Sequence, residues 1–165
     1  MKIQDRIKEL RRVKSSDLRP NPKNWRTHPE SQADAMRGIL SEIGYAAALI
    51  ARELPDGSLM LLDGHLRAEI APDQVLPVLV LDVTEEEGDK LLLSLDPLAA
   101  MAGLNVEAMA ALAANAETNS AALQGMWDKM NEVVEIPEFE PVGIEQQGRL
   151  DEKAKTTCPE CGHEF

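Results

Sequence analysis

Cysteine is almost missing from this chain of 165 residues. There are two, Cys158 and Cys161, both among the last eight positions. None is left for the body of the protein, so a disulfide framework is excluded. Aromatic residues are scarce too, at 3%, so any core must be aliphatic, built from Leu, Ile, Val and Ala. No apolar stretch approaches the roughly 20 residues needed to cross a bilayer. The opening MKIQDRIKELRRVK carries no apolar segment of the secretory kind. The expected location is therefore the cytoplasm, with no membrane partner.

Positive charge is in the minority, at 17 Lys and Arg against 29 Asp and Glu, a net charge of −12. That balance excludes a general cationic coat for nucleic acid. The distribution is uneven. Residues 1–28 hold nine Lys or Arg against Asp5, Glu9 and Asp17, a net of +6, which leaves −18 for the remainder. Residues 1–12 read as a basic arm able to touch DNA phosphate locally, or as a solvated helix face of mixed charge.

What is present is strong local patterning. Ile3, Ile7 and Leu10 predict a short amphipathic helix over 2–12, and 13–18 a short strand. Three prolines and two asparagines make 19–29 a loop. Met36, Ile39, Leu40 and Ile43 form one stripe of a helix from Pro29 to Ile43, which Gly44 stops. Residues 47–54 and 59–63 read as the two strands of a hairpin around the turn PDGS. A short helix follows over 64–71. The stretch LPVLVLDV (76–83) is apolar on both faces and reads as a central strand. Thr84 and Glu87 form a capping box for a helix over 85–95, interrupted at Asp96-Pro97. Residues 105–134 predict two alanine-rich helices broken near 116–120, packed through Met109, Leu112, Leu123, Trp127 and Met130. Residues 135–157 form an acidic linker with two prolines.

The chemistry gathers at Asp63-Gly64-His65-Leu66-Arg67, where a strand runs directly into a helix. Free N–H groups at such a helix head attract anions. Gly64 lets a ligand approach the backbone. Arg67 can fork onto phosphate or carboxylate, His65 can donate a proton near neutral pH, and Asp63 can accept one or help to hold a metal ion. The plainer alternative is a helix capped by Asp63 with Arg67 solvated. The loop residues Asn24, Arg26 and His28 offer a second polar cluster, and the two would make one pocket if the loop folds over the helix head.

These features occur in an order that resembles the ParB N-terminal-like domain, the fold shared with sulfiredoxin. The matching stretches are LRPNPKNWRTHP, EIGY, the hairpin around PDG, LLDGHLRAE and PVLVLDV, covering about residues 13–103. The chain is most similar to short ParB-like proteins of phages and mobile elements that sit beside DNA-modification genes. The implied fold is α+β, a small mixed sheet with flanking helices, followed by a helical extension (104–134) and a flexible tail. The implied host is a bacterium or a phage-infected cell.

The resemblance puts the family's phosphate-binding G-x-x-R segment on Gly64, His65, Leu66 and Arg67, with CTP or ATP as ligand and Mg²⁺ as its companion. Sulfiredoxins have a catalytic cysteine where this chain has His65, so that reaction is excluded. A free-serine kinase of the fold carries D-G-H-H-R, one residue different, which implies His65 and Asp63 as proton-transfer groups in a phosphotransferase or nucleotide hydrolase, with Arg67 stabilising charge. A third implication is a non-catalytic adaptor for a DNA-modifying enzyme. The second Glu-Asn-x-x-Arg motif and the helix-turn-helix reader of full ParB proteins are absent. No acid cluster spaced for two metals supports a nuclease.

The tail, Cys158-Pro-Glu-Cys161-Gly-His163, has the spacing of half a tetrahedral zinc site. His163 is a third candidate ligand, and a partner chain or a second copy would supply the rest, giving a homodimer through the tail. The alternatives are a redox pair and an inert tail.

Overall fold

The structure of the protein, a computed structural model, describes residues 3–132 and 158–163. The expected acidic linker lies outside the described residues. The chain divides into two units, Met1–Val134 and Glu135–Phe165. Everything below on sheet and helices belongs to the first.

Five strands form one mixed sheet: β1 (Ile7–Lys14), β2 (Leu18–Arg19), β3 (Leu49–Glu53), β4 (Leu59–Asp63) and β5 (Val75–Leu81). Their spatial order is β1-β5-β3-β4-β2. The β3–β4 hairpin and the β1–β5 pair are antiparallel, while β3–β5 and β2–β4 are parallel. Among the described residues five helices accompany the sheet: α1 (Glu30–Glu42), α2 (His65–Ile70), α3 (Glu85–Ala100), α4 (Val106–Ala113) and α5 (Ala121–Glu132). The α+β architecture is the one the sequence implies. Among the described residues no helix is long and apolar enough to cross a membrane.

Alternation fixes which face is buried. Leu49 and Ala51 of β3, Leu59 and Leu61 of β4, and Leu76, Val78 and Val80 of β5 share one face and make the core. Each leucine or valine among them contributes about 1.5–3 kcal/mol when taken fully from water. β5 is paired on both edges, and β3 stands in the middle. On the opposite face of β4, Leu62 is buried against α3 near Gly88.

Three expectations are corrected. Residues 7–14 are a strand, not a helix. The apolar content of 2–12 is too thin to bury a helical stripe, and the backbone ladder to β5 decides instead. This edge strand keeps its charges exposed, which suits an edge. It runs through residue 13, so that the expected strand over 13–18 is the end of β1, a short 3-10 turn (Ser15–Asp17) and the two-residue β2. Pro97 lies inside α3, which continues to Ala100. The missing N–H costs one backbone bond three residues from the helix end, and the flanking chain keeps its helical conformation.

The later helices form where expected, but their packing is uneven. Leu123 is buried, whereas Leu112 and Met130 are exposed. α5 packs against α1. The α1 carboxylate of Glu42 accepts hydrogen bonds from Thr118 Oγ1 and the Asn119 N–H, both at 2.7 Å.

Candidate functional site

The loop after β2 and the turn after β4 meet on one side of the sheet. They share a cleft of about 390 Å³ with α1, α3 and the Tyr45–Ala47 segment. Asn24, Arg26 and His28 line it from the loop, and Asp63, Gly64, His65 and Arg67 from the turn. The two polar clusters seen in the sequence thus face one space. The α1 stripe also points here. Met36, Ile39 and Leu40 line the cleft, while Ile43 is exposed.

Gly64 is required by geometry. It has φ +90°, and a Cβ there would fall 2.6 Å from Leu49 Cγ and 3.2 Å from Arg67 Nη2. A side chain would be strained by the backbone and would collide with the core. The turn therefore brings bare backbone against the Arg67 guanidinium. No side chain caps α2. Asp63 pairs with Arg67 instead, Nη2 to Oδ2 at 2.8 Å. Arg67 Nη1 also donates to the Ala47 carbonyl at 3.1 Å. The Arg67 side chain is only 15% exposed. Its fork is therefore held in place by an acid and a carbonyl rather than left free in water.

His65 is buried. Its Nε2 accepts a hydrogen bond from the Asn21 N–H at 3.3 Å. A ring nitrogen that accepts is unprotonated, so this contact assigns the neutral tautomer with the proton on Nδ1. Burial pushes the imidazole below its ordinary value, against the opposing pull of Asp63 and Glu69, and with a smaller push from His28. The contact ties the start of the loop to α2.

Further ties hold the loop to α3. Lys23 Nζ bridges Glu85 at 2.9 Å and Asp89 at 2.7 Å. The indole N–H of Trp25 donates to the Leu92 carbonyl at 3.2 Å. Arg26 lies over the Trp25 ring, 4.9 Å from its centroid. Arg26 Nε stands 2.5 Å from Asp96 Oδ2. That contact is close in charge but off in angle, and the buried Nε–H has no hydrogen-bond acceptor. His28 pairs through Nδ1 with Gln32 Oε1 at 3.1 Å, and Asn24 Oδ1 accepts from the Arg26 N–H.

Sequence reasoning missed Trp25, Tyr45 and Asp96 as cleft residues. A lone tryptophan in a proline-rich loop was the available signal for the first. Asp96 was hidden by its position before Pro97, where it reads as a helix breaker.

Most of the basic residues near the N-terminus have acidic partners. Arg6 forks onto Glu87 at 2.7 and 2.8 Å, and Lys8 and Arg11 engage Glu53. Arg19 pairs with Asp56, Lys23 with Glu85 and Asp89, and Arg26 with Asp96. Among the described residues, six of the eight cations in 3–28 are thus matched locally. The expected basic arm is, from Ile7 to Lys14, a strand of the sheet.

In the second unit, Cys158 and Cys161 are unpaired thiols on a turn. Among the described residues no three His, Cys, Asp or Glu side chains converge as a metal site. The N–H groups of Glu160 and Cys161, and then the Cys161 thiol, hold the Cys158 thiol below its ordinary value.

No protein-family profile matches the chain, and no curated protein matches it in sequence. Solved structures do match in fold. The C-terminally truncated chromosome-partitioning protein ParB from Caulobacter crescentus, complexed with CTP-γ-S, aligns with a TM-score of 0.50 and 21% identity. The alignment covers 59% of this chain and 57% of that one, so the chain spans little more than half of the relative. The same protein complexed to the centromeric parS site aligns with a TM-score of 0.43 at 22% identity, over 58% of this chain and 50% of that one. The first likeness establishes a ParB-like fold.

Proposed function

We propose that the cleft binds a nucleotide or another phosphate-bearing ligand, and that the protein is a ParB-like binding module of DNA metabolism. One observation carries this reading. Two separate polar segments, 24–28 and 63–67, converge with two arginines on a single cleft that also has an apolar wall. Arg67, oriented by Asp63 and the Ala47 carbonyl, offers an anion its charge and its remaining N–H groups. Arg26, Asn24 and His28 stand across from them. Met36, Ile39, Leu40 and the Trp25 ring offer surface for a base or another flat group. The ParB-like fold agrees with this, because a relative of that fold was solved with a cytidine nucleotide analogue.

Binding without turnover is the version favoured by His65. Its Nε2 is engaged by Asn21 and its burial disfavours the charged form. It is a positioning residue for the loop rather than a proton shuttle. Asp63, paired with Arg67, orients that guanidinium. The acidic partners of the N-terminal cations favour association with DNA through a DNA-modifying enzyme over direct contact.

Calorimetric titration of the full chain with CTP, ATP and GTP, with and without Mg²⁺, tests the reading. Saturable binding of at least one nucleotide is expected. Arg67→Ala should weaken it about 10-fold or more, the loss of one charge-assisted fork. Absence of binding by all three, with Arg67→Ala indistinguishable from wild type, would refute it. Phosphate release abolished by His65→Ala would replace it with the hydrolase or phosphotransferase reading.

A further inference from the structure

Each arginine of the cleft already has an acid at contact distance. Arg67 Nη2 meets Asp63 Oδ2 at 2.8 Å, and Arg26 Nε meets Asp96 Oδ2 at 2.5 Å. Among the described residues these four are the Arg, Lys, Asp and Glu side chains that line the cleft, two of each sign. The buried His65 adds no charge, because its Nε2 accepts the Asn21 N–H. The next cation of the loop, Lys23, is bridged to Glu85 and Asp89. The space is small as well. Its volume of about 390 Å³ lies near the lower end of the roughly 300–1,000 Å³ typical of small-molecule pockets.

A phosphate chain gains negative charge with every added group. One phosphate can share Arg67 with Asp63, through the N–H groups that the acid leaves over. Further phosphates reach the Arg26 wall, where the positive charge is already offset by Asp96. We propose that the ligand of the cleft carries a single phosphate group, as a nucleoside monophosphate does, and that Asp96 selects against longer phosphate chains. This rests on the nucleotide reading above and narrows it. Asp96 belongs to α3 and directly precedes Pro97, so the helix backbone keeps its carboxylate at the Arg26 wall. Its side chain is 45% exposed, and a pair so exposed adds little to stability. Its effect falls instead on what the cleft admits. A like charge brought against an anionic ligand is costly, and binding sites reject wrong ligands by this means. The apolar wall and the Trp25 ring stay open to the base.

The test is calorimetric titration of the full chain with AMP, CMP and GMP against ATP, CTP and GTP, at low ionic strength and with divalent cations removed by chelation. For each base that binds, the monophosphate should bind at least as tightly as the triphosphate. Asp96→Asn keeps the size of the side chain and removes its charge. It should raise triphosphate affinity relative to monophosphate about 10-fold or more. Glu86→Gln, on the same helix but outside the cleft and with a side chain 81% exposed, should leave that ratio unchanged. A triphosphate that binds the wild type more tightly than its monophosphate would overturn the proposal and leave the nucleotide reading standing. A ratio unmoved by Asp96→Asn, or moved as far by Glu86→Gln, would overturn the role of Asp96. Absence of binding by all six nucleotides would overturn this proposal and the nucleotide reading together.

Discussion

At the scale of single residues, Gly64 and His65 do different work. Gly64 allows Arg67 and Leu49 to close over the turn. Gly64→Ala combines a left-handed backbone, costing about 1–2 kcal/mol, with overpacking of roughly 1–3 kcal/mol. The variant should lose about 2–5 kcal/mol in urea unfolding, and a loss under about 1 kcal/mol would show that the turn relaxes around the added methyl. His65 matters through what it accepts. Its ring joins the loop backbone at Asn21 to α2 and so ties together two walls of the cleft. Asp63 and Arg67 likewise pair with each other across one turn of chain. None of these pairings is visible in a list of residue types.

At the scale of elements, the start of α3 is the best-determined feature. Thr84 accepts from the Glu87 N–H, and Glu87 accepts from the Thr84 N–H, the capping box that the sequence predicts. Arg6 then forks onto the same carboxylate from the strand edge. The Arg6 contact, followed by the Thr84 N–H, lowers Glu87 from its ordinary 4.5 to about 2. A lowered carboxyl stabilises the fold fully above its unfolded value, and loses that contribution as pH falls through its folded value. Wild-type melting temperature should therefore drop between pH 4.5 and 2 by more than that of Glu87→Gln. Parallel pH curves for the two proteins would rule this out. The difference should shrink in high salt, because the pair is partly exposed.

At the scale of the whole first unit, the helical extension belongs to the same packed body as the cleft. α5 rests on α1, and α1 supplies the apolar wall. Gly38 makes the close approach possible, since a Cβ there would stand 2.2 Å from Ser120 Oγ. Leu123 is the anchor of the contact, at 3% exposure. Leu123→Ala should cost roughly 2–4 kcal/mol as a large-to-small core change. Thermal unfolding should stay a single transition. A separate early transition for the extension would show that α5 folds independently of α1.

The sequence by itself determined whatever is local. Alternating apolar residues set β3, β4 and β5, Gly44 and the PDGS turn set boundaries, and Thr84 with Glu87 set the start of α3. It also marked the two polar clusters, because unusual residues in turns and loops stand out against a simple pattern. Tertiary structure decided whatever depends on distant partners. Residues 7–14 became a strand because β5 offers a backbone ladder, a choice that weak periodicity could not make. Asp96 became a cleft residue because α3 runs through Pro97 and carries it to Arg26. His65 gained a tertiary bond because Asn21, far off in sequence, presents its N–H to the ring. Hydrogen bonding and ion pairing are short-ranged in space and indifferent to sequence distance, so only the folded chain could assign them.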